Sequence, residues 1–437
     1  MNARSAGVVC AATLAAGFTA AACGADRDSS SDELGTTAQA VSVEPELYVK
    51  KPNHGAIEQI ADLTAAGETE DAALIRTMID TPQATWLVGG TPKSVGQDVN
   101  TVMARAQNQG MPVLVAYNIP FRDCAQFSAG GATTPEEYSA WIDAVADGIG
   151  DREAIVILEP DGLGIIPFYN PFDYRDTWLG DAAGTLEWCQ PAEADPDTAA
   201  AERFAMLNYA VDKLKENPGT QVYLDGTHSN WLGAGDSADR LLQAGVLRAD
   251  GFFLNVSNYE SQERLEKYGT WISKCIWFAD SDSGSWGGGH TEWCGSQYSP
   301  ATADDFSTWA LTDQWYADNV ESQTWVPYPG DEGLKPFVID TSRNGQGAWA
   351  ADPPNDNDQE WCNPPDRGLG LRPTLDTGVP LIDAYLWAKV PGESDGQCNR
   401  WADPGAPDPV RGYVNPPAGE WFPEMALELA QNANPPL

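Results

Sequence analysis

The sequence predicts a single α/β domain built on a seven-stranded parallel barrel. Seven short apolar runs, rich in β-branched and aromatic residues, recur along residues 43–437, and most are separated by helical patterns. Alternating strands and helices indicate a parallel sheet with right-handed crossovers. No Pro- or Ser-rich linker interrupts this stretch, and its length suits one barrel with insertions. Seven strands favour a barrel over an open sheet, although periodicity alone does not separate the two.

The strands are predicted over seven apolar segments: 84–88, 113–118, 154–158, 221–224, 251–256, 337–340 and 381–388. A helix is predicted to start at Thr134-Pro135-Glu136-Glu137, because Pro lies in the first turn and Glu follows three residues after a capping Thr. A second helix is predicted to open at Asp195-Pro196 and to end before Asn217. A third spans residues 261–276, and a closing amphipathic helix lies in residues 419–432.

Residues 1–23 are predicted to be a signal peptide. Arg4 supplies the positive charge near the start of such a peptide. The apolar run of residues 6–22 is too short and too rich in Ala to span a membrane. Cys23 follows three Ala residues, as in a bacterial lipobox, so we expect a lipidated cell-surface protein; plain secretion is the alternative. Any membrane attachment would then depend on that lipid. Residues 24–42 are rich in Ser, Asp, Thr and Gly and predict a disordered tether.

The composition restricts the partners and the chemistry. The chain has 64 acidic and 25 basic residues, a net charge of −39, so electrostatic binding to nucleic acid or to an acidic leaflet is excluded. Only three His residues occur, and they are far apart, so we expect no metal site and no cofactor. Carboxylates and aromatic rings are the abundant functional groups. The 17 Trp residues are more than a protein of this length usually has, which indicates that some of them have a function.

The cysteines of residues 43–437 indicate disulfides. An even number of Cys in an exported protein is typical of a disulfide framework. Sequence order favours three pairs among the fifteen possible pairings: Cys124–Cys189, Cys275–Cys294 and Cys362–Cys398. Zinc is the rival interpretation, and the absence of any C-x-x-C pair from the sequence argues against it.

Acidic side chains follow several of the predicted strands, where the chemistry of such a barrel lies. Asp123 comes after the second strand, Asp161 after the third, Asp225 after the fourth and Asp395 after the last. Clustered carboxylates with Trp platforms fit glycoside hydrolysis, because a carboxylic acid of raised pKa protonates the departing oxygen while a second carboxylate attacks or activates water. The Trp face suits the C–H faces of sugar rings.

Five segments resemble glycoside hydrolase family 6, the inverting cellulases: FRDC, ILEPDGLG, VYLDGTHSNWLG, NVSNY and WAKVPGESDG. The resemblance covers residues 43–437, which would form one catalytic domain. It implies a distorted seven-stranded parallel α/β barrel, of the TIM-barrel kind, that hydrolyses β-1,4-glucan with inversion. The implied partners are cellulose and cello-oligosaccharides, and we expect a monomer.

The resemblance also implies roles for individual residues. Asp161 matches the general acid, and Asp123 matches the carboxylate that raises the pKa of that acid and helps to hold the water. Asp395 matches the residue proposed as base, which could act through a water chain. Tyr117 matches a tyrosine that crowds the distorted sugar. Matching residues that bind or surround the substrate are Asp225, His228, Asn258, Lys389, Glu393 and the platforms Trp86, Trp231 and Trp361.

Two positions depart from the family pattern. A second platform Trp often follows three residues after the one that Trp231 matches, and here that position is Ala234. The Ser that holds the water is also displaced, since the aligned position is Ala129 and Ser128 lies beside it. The first departure bears on affinity for the product side of the substrate, and the second on which hydroxyl positions the water.

Long loops predict the mode of attack on the glucan chain. Residues 162–190, 277–323 and 344–370 are rich in Gly, Pro, Trp and Asp, and loops of this length are usually functional. The resemblance implies that such loops roof the active site into a tunnel, so we predict a cellobiohydrolase that acts from non-reducing ends. KYGTWISKCIWFA is most similar to the bacterial exocellulases. An endoglucanase and a non-catalytic surface glucan-binding protein are the alternatives.

Overall fold

The computed structural model describes residues 46–171, 188–280, 287–323, 326–350, 359–400, 402–403 and 405–437. The predicted signal peptide, the tether and Cys23 lie outside these residues. Parts of the loops that we expect to roof the site also lie outside them, namely 172–187, 281–286 and 351–358.

Seven strands lie side by side in the order in which they occur along the chain, and each pairs in parallel with the next. They are β1 (Thr85–Leu87), β2 (Val113–Ala116), β3 (Ala154–Leu158), β4 (Thr220–Asp225), β5 (Gly251–Leu254), β6 (Phe337–Asp340) and β7 (Ile382–Leu386). The prediction of a seven-stranded parallel α/β fold is confirmed, and each strand begins and ends within two residues of its predicted bounds.

The sheet curls into a half-barrel, the distorted form of an α/β barrel. Between the first and last strands the described residues form no strand ladder. Instead, the Ala84 N–H donates to the Trp387 carbonyl (3.0 Å), and the Trp86 indole N–H donates to the Ala388 carbonyl (2.8 Å). These two bonds bring the entry of β1 beside the loop that follows β7, which contains Lys389, one of the predicted sugar-binding residues.

Nine α-helices occur in the described part of the chain: α1 (His54–Ala66), α2 (Thr69–Ile79), α3 (Pro92–Ala106), α4 (Pro135–Ile149), α5 (Ala199–Leu214), α6 (Ala234–Gln243), α7 (Gln262–Ala279), α8 (Trp309–Tyr316) and α9 (Pro423–Gln431). The predicted start of α4 is confirmed, because the Thr134 hydroxyl accepts the Glu137 N–H at 3.2 Å. None of the nine is long and apolar enough to cross a bilayer.

Two predicted helix starts are wrong by a few residues, for different reasons. The second helix begins at Ala199 and not at Asp195, because the Asp195 carboxylate accepts the Asp197 N–H (2.9 Å) and forms a turn before the helix. The closing helix begins at Pro423, because the segment before it pairs with another loop: the Phe422 N–H donates to the Gly392 carbonyl (2.7 Å). Tertiary hydrogen bonds decided this second boundary.

The strands divide their side chains between two cores. Along β2 and β3, Val115 and Ile157 belong to the cluster inside the half-barrel, whereas Leu114 and Val156 pack against the surrounding helices. This alternation follows from the two-residue period of a strand. Both faces of the sheet are therefore apolar, and polar groups concentrate at the strand ends.

The structure contains the three disulfides that sequence order favours: Cys124–Cys189, Cys275–Cys294 and Cys362–Cys398. The first joins the loop after β2 to the end of the long loop after β3. The second joins α7 to the loop that follows it, and the third joins the loop before β7 to the loop after it. The first and third disulfides therefore brace loops at strand ends, and the second braces the loop that follows α7.

Candidate active site

The backbone at the carboxyl ends of the strands is held in unusual conformations. Asp123 after β2 has φ of 59°, and Glu159 and Asp161 after β3 have φ of 54° and 61°. Non-glycine residues adopt this left-handed region seldom, and it persists only where the surroundings impose it. For β3 the anchor is Glu159, whose buried carboxylate accepts the N–H groups of Asn118 (2.9 Å) and Ile119 (3.0 Å). Glu159 thereby fastens the loop after β2 to the end of β3.

Four carboxylates lie close enough to influence one another. The pKa of Asp161 is raised well above its ordinary value, first by burial and then by the negative charges of Asp225, Asp123 and Asp395. Because neighbouring negative charges disfavour a further one, the pKa of Asp161 rises more than burial alone would raise it. Asp161 is therefore the carboxyl group of this cluster that is best suited to carry a proton.

Asp123 is held by the loop in which it lies. Its carboxylate accepts the Ser128 N–H at 2.6 Å, and the Arg122 guanidinium donates to the Ser128 carbonyl at 2.9 Å. Burial raises the pKa of Asp123 to about 6, and the Ser128 N–H and the charge of Arg122 oppose that rise. The structure thus brings Ser128 beside Asp123 through its main chain.

Asp225 fixes the loop that carries Asp161. One carboxylate oxygen accepts the N–H groups of Leu163 and Gly164 (both 3.2 Å), and the other accepts the Thr227 N–H (2.9 Å). Burial raises the pKa of Asp225 to about 6 against the effect of these donors. The carboxylate therefore has a structural function in this site besides its charge.

Asp395 is the most firmly paired of the four. Both of its oxygens accept from the Arg343 guanidinium (2.9 and 2.8 Å), and the Lys389 ammonium lies 3.4 Å from one of them. The Tyr259 hydroxyl donates to the other oxygen at 3.1 Å. Burial acts to raise the pKa of Asp395, but Arg343 and Lys389 outweigh it, and the pKa lies below its ordinary value. Asp395 is therefore ionised throughout the neutral range.

One flank of the carboxylates is lined by aromatic and cationic groups. Tyr117 is buried, and its ring meets that of Trp86 edge to face at 5.3 Å. The Lys389 ammonium lies 5.9 Å from the centre of the Trp86 ring. Glu393 accepts from the Asn53 side chain at 2.9 Å. A cavity of about 350 Å³ is lined by Trp86 and Glu393, together with polar side chains of residues 48–53.

The other predicted platforms contact two different loops of the site. His228 and Trp231 have ring centres 5.7 Å apart, and a side chain on Gly164 would collide with the Trp231 ring, so that ring lies against the loop after Asp161. Burial lowers the pKa of His228 to about 4, which keeps the imidazole neutral. Trp361 lies 6.1 Å from Phe127 in the loop of Asp123.

Asn258 is less closely connected to the site than the other predicted residues. Its side chain donates to the Val256 carbonyl at 3.3 Å, within its own loop.

The comparisons with known proteins agree with this geometry. The sequence profile of glycosyl hydrolases family 6 matches residues 42–433. The chain belongs to this family. It is 33% identical to endoglucanase A of Cellulomonas fimi, in an alignment that covers 84% of this chain and 58% of that protein. It is 27% identical to a probable 1,4-β-D-glucan cellobiohydrolase C of Aspergillus niger, in an alignment that covers 74% of this chain and 60% of that protein. The chain therefore spans less than two thirds of either relative.

A solved structure extends the comparison to three dimensions. The endoglucanase Cel6 of Mycobacterium tuberculosis, in complex with a thio-linked cellobioside, is 32% identical. The likeness covers 89% of this chain and 98% of that one, with a TM-score of 0.60. The glycosyl hydrolase family 6 barrel is thus shared along nearly the whole of both chains.

Sequence reasoning missed the residues that hold Asp395. Arg343 and Tyr259 both follow strand ends, and Tyr259 lies within the NVSNY segment, which was the available signal. The Arg343 guanidinium lies 4.2 Å above the Tyr259 ring, so that each fixes the other as well as the carboxylate. Glu159 was also missed, although it immediately precedes Pro160-Asp161.

Asn363 makes a reciprocal pair of hydrogen bonds with Asp395. The Asn363 N–H donates to the Asp395 carboxylate (3.1 Å), and the Asp395 N–H donates to the Asn363 side-chain oxygen (2.8 Å). The Asn363 amide N–H₂ also donates to the Gly396 carbonyl (2.9 Å). Because Asn363 follows Cys362, the disulfide to Cys398 encloses this arrangement.

We predict that Asn363→Ala lowers the turnover number of the glycosidase about 10- to 100-fold while KM changes little, because a carboxylate displaced by about 1 Å loses its working geometry. Kinetics with a soluble glycoside substrate would measure this. Asn415→Ala is the matched control, since Asn415 is buried and donates to the Cys398 carbonyl (3.3 Å) and to Asp408 (3.0 Å) in the same region. Equal turnover in the two variants would contradict a positioning role for Asn363.

Proposed function

We propose that the protein hydrolyses β-1,4-glucosidic bonds in cellulose and cello-oligosaccharides with inversion, and that Asp161 is the general acid. The observation that carries this proposal is the raised pKa of Asp161 among three other carboxylates. A carboxyl group that keeps its proton to a higher pH than an ordinary Asp can give that proton to the departing glycosidic oxygen. Membership of family 6 and the names of its relatives support cellulose as the substrate.

Asp395 and Asp123 would together position and activate the water that attacks the sugar. An inverting enzyme needs a carboxylate that takes a proton from water on the face opposite the leaving group. Asp395 is ionised, but Arg343, Tyr259 and Lys389 engage its oxygens. We therefore infer that Asp395 acts on the nucleophilic water through a second water. Asp123, with its pKa of about 6, would hold the nucleophilic water and add charge beside Asp161.

The aromatic flanks fit a glucan chain that passes across the carboxylates. Trp86, Trp231 and Trp361 are half-buried, so each leaves part of its ring for the C–H face of a sugar. Lys389, Glu393, His228 and Asn258 would bind hydroxyl groups, and Tyr117 would crowd the sugar at the reacting centre. We propose that the protein works as a monomer and needs no cofactor.

We further propose that cellobiose is released from non-reducing chain ends. The support is the length of the loops after β3 and α7 and the disulfides Cys124–Cys189 and Cys275–Cys294 that brace them. The second candidate is internal cleavage, which is favoured by the endoglucanase names of the Cellulomonas and Mycobacterium relatives. Both modes use the same acid.

Products from cellohexaose test the reaction and its mode. We expect α-cellobiose as the first product by proton NMR of the anomeric signals, with little cellotriose, because inversion at a β-linkage produces the α-anomer. Asp161→Ala should lower turnover about 10²- to 10⁴-fold, because the departing oxygen would leave without a proton. An initial β product would reject inversion. A rapid fall in the viscosity of a soluble cellulose derivative would favour the endoglucanase, and unaltered sugar would favour a non-catalytic glucan-binding protein.

The pH profile tests the charge coupling. Ionised Asp123 should increase activity without being indispensable for it, so kcat/KM should rise through about pH 6, and it should fall at higher pH as Asp161 loses its proton. Asp123→Asn removes one of the charges that raise the pKa of Asp161. We therefore expect the acid limb near pH 6 to disappear and the alkaline limb to move to lower pH by about 1 unit. Unchanged limbs in that variant would contradict the coupling.

We propose that the protein is exported and that a lipid on Cys23 anchors it to the cell surface. The support is the sequence alone, with three Ala residues before Cys23 and a polar tether after it. Cell fractionation of the wild type and of Cys23→Ala measures the anchor. We expect the wild type in the membrane fraction and the variant in the medium, and equal release of both would indicate plain secretion.

A further inference from the structure

Asn53 joins the start of α1 to the loop after β7 through the two ends of its side-chain amide. The amide oxygen accepts the Gly55 N–H at 2.9 Å, which caps the helix. The amide N–H₂ donates to the Glu393 carboxylate at 2.9 Å, although the two residues are 340 positions apart in the chain. Only this orientation of the amide gives the N–H an acceptor and the carboxylate a donor.

Trp421 holds the main chain on both sides of this contact. It pairs with Glu393 in an antiparallel bridge, and its indole N–H donates to the Gln59 side chain of α1 at 2.8 Å. A Cβ on Gly55 would lie 2.5 Å from the Trp421 Cβ, and a Cβ on Gly392 would lie 2.6 Å from the Trp421 ring. The Trp421 side chain therefore packs against the first turn of α1 and against the loop after β7, so the main chain of Glu393 is fixed close to Asn53.

The Glu393 carboxylate has one oxygen that is engaged and one that has no donor. In the part of the chain that the structure describes, Glu393 forms no ion pair, and the Asn53 amide is the only donor to its carboxylate. Asn53 and Glu393 both line the cavity of about 350 Å³ beside Trp86. Because a Glu side chain has several rotamers, a bond to one oxygen orients the other before a sugar arrives and lowers the entropy lost on binding.

We propose that Asn53 is a positioning residue for the substrate, which orients Glu393 so that its second oxygen binds a hydroxyl group of the sugar beside Trp86. This inference depends on the proposed glucan substrate, but not on whether the chain is cut at its end or internally. The alternative is that Asn53 only caps α1. Ser and Asp separate the two roles, because both cap helices well, whereas neither supplies an N–H₂ group to Glu393.

Steady-state kinetics with cellotetraose test the proposal. We expect Asn53→Ser to raise KM about two- to tenfold, the range that one hydrogen bond contributes, while kcat changes less than about twofold. Asn53→Asp should raise KM further, because it brings a second negative charge beside Glu393. Asn53→Ala should raise KM no more than Asn53→Ser does, but it should have the lower melting temperature of the two, because it removes the cap as well.

A double-mutant cycle assigns the effect to Glu393. In a Glu393→Gln background, Asn53→Asp should change KM less than about twofold, because the introduced carboxylate would accept from the introduced amide. Thr134→Asp is the matched control, since it replaces the exposed N-cap residue of α4 by another capping residue and adds the same charge away from Glu393. It should leave KM unchanged.

Wild-type KM in both Asn53→Ser and Asn53→Asp would overturn the proposal, since Asn53 would then act as a cap alone. An equal rise of KM in Thr134→Asp and Asn53→Asp would also overturn it, because net charge would then explain the effect. If the wild type does not hydrolyse cellotetraose, the proposed function fails, and this inference fails with it.

Discussion

The candidate active site depends on the placing of several carboxylates near one another, since each negative charge disfavours the next. Asp161 lies close to three other acidic side chains, and its pKa is raised because burial and their charges disfavour a further negative charge. Asp395 escapes this constraint, since Arg343 neutralises it from within the core. The same cluster thus contains a carboxyl group of raised pKa and an ionised carboxylate, which is the pairing that acid- and base-assisted hydrolysis requires.

Main-chain N–H groups of the barrel donate hydrogen bonds to several of the buried carboxylates and so offset part of the cost of burying them. Glu159 and Asp225 each accept main-chain N–H groups from a neighbouring strand-end loop, and Asp340, the last residue of β6, accepts the N–H groups of Ser342 and Lys389. A carboxylate that binds the next loop in this way satisfies its own lone pairs and fixes the left-handed residues of that loop. The acids of the strand ends are therefore part of the fold as well as part of the chemistry.

Some elements of the fold could be predicted from the sequence, and others could not. The strands could be located because a two-residue apolar period and flanking turn residues are local signals. Helices α1, α2, α3, α6 and α8 were not predicted, although α3 begins with a capping Thr91 and Pro92, the same local signal that located α4. Asn363 and Arg343 contact Asp395, which is distant from both in the chain, so no local pattern predicted their role.

The sequence by itself determined the family, the alternating strands and helices and the candidate acids, because motifs and periodicity are local properties, and the order of the cysteines favoured the three disulfide pairs. Only the tertiary structure decided how those acids differ. Asp161 and Asp395 are both aspartates after strands, and no feature of the sequence makes one pKa rise and the other fall. Burial beside like charges or beside a guanidinium sets the direction, and both depend on which loops the barrel brings together.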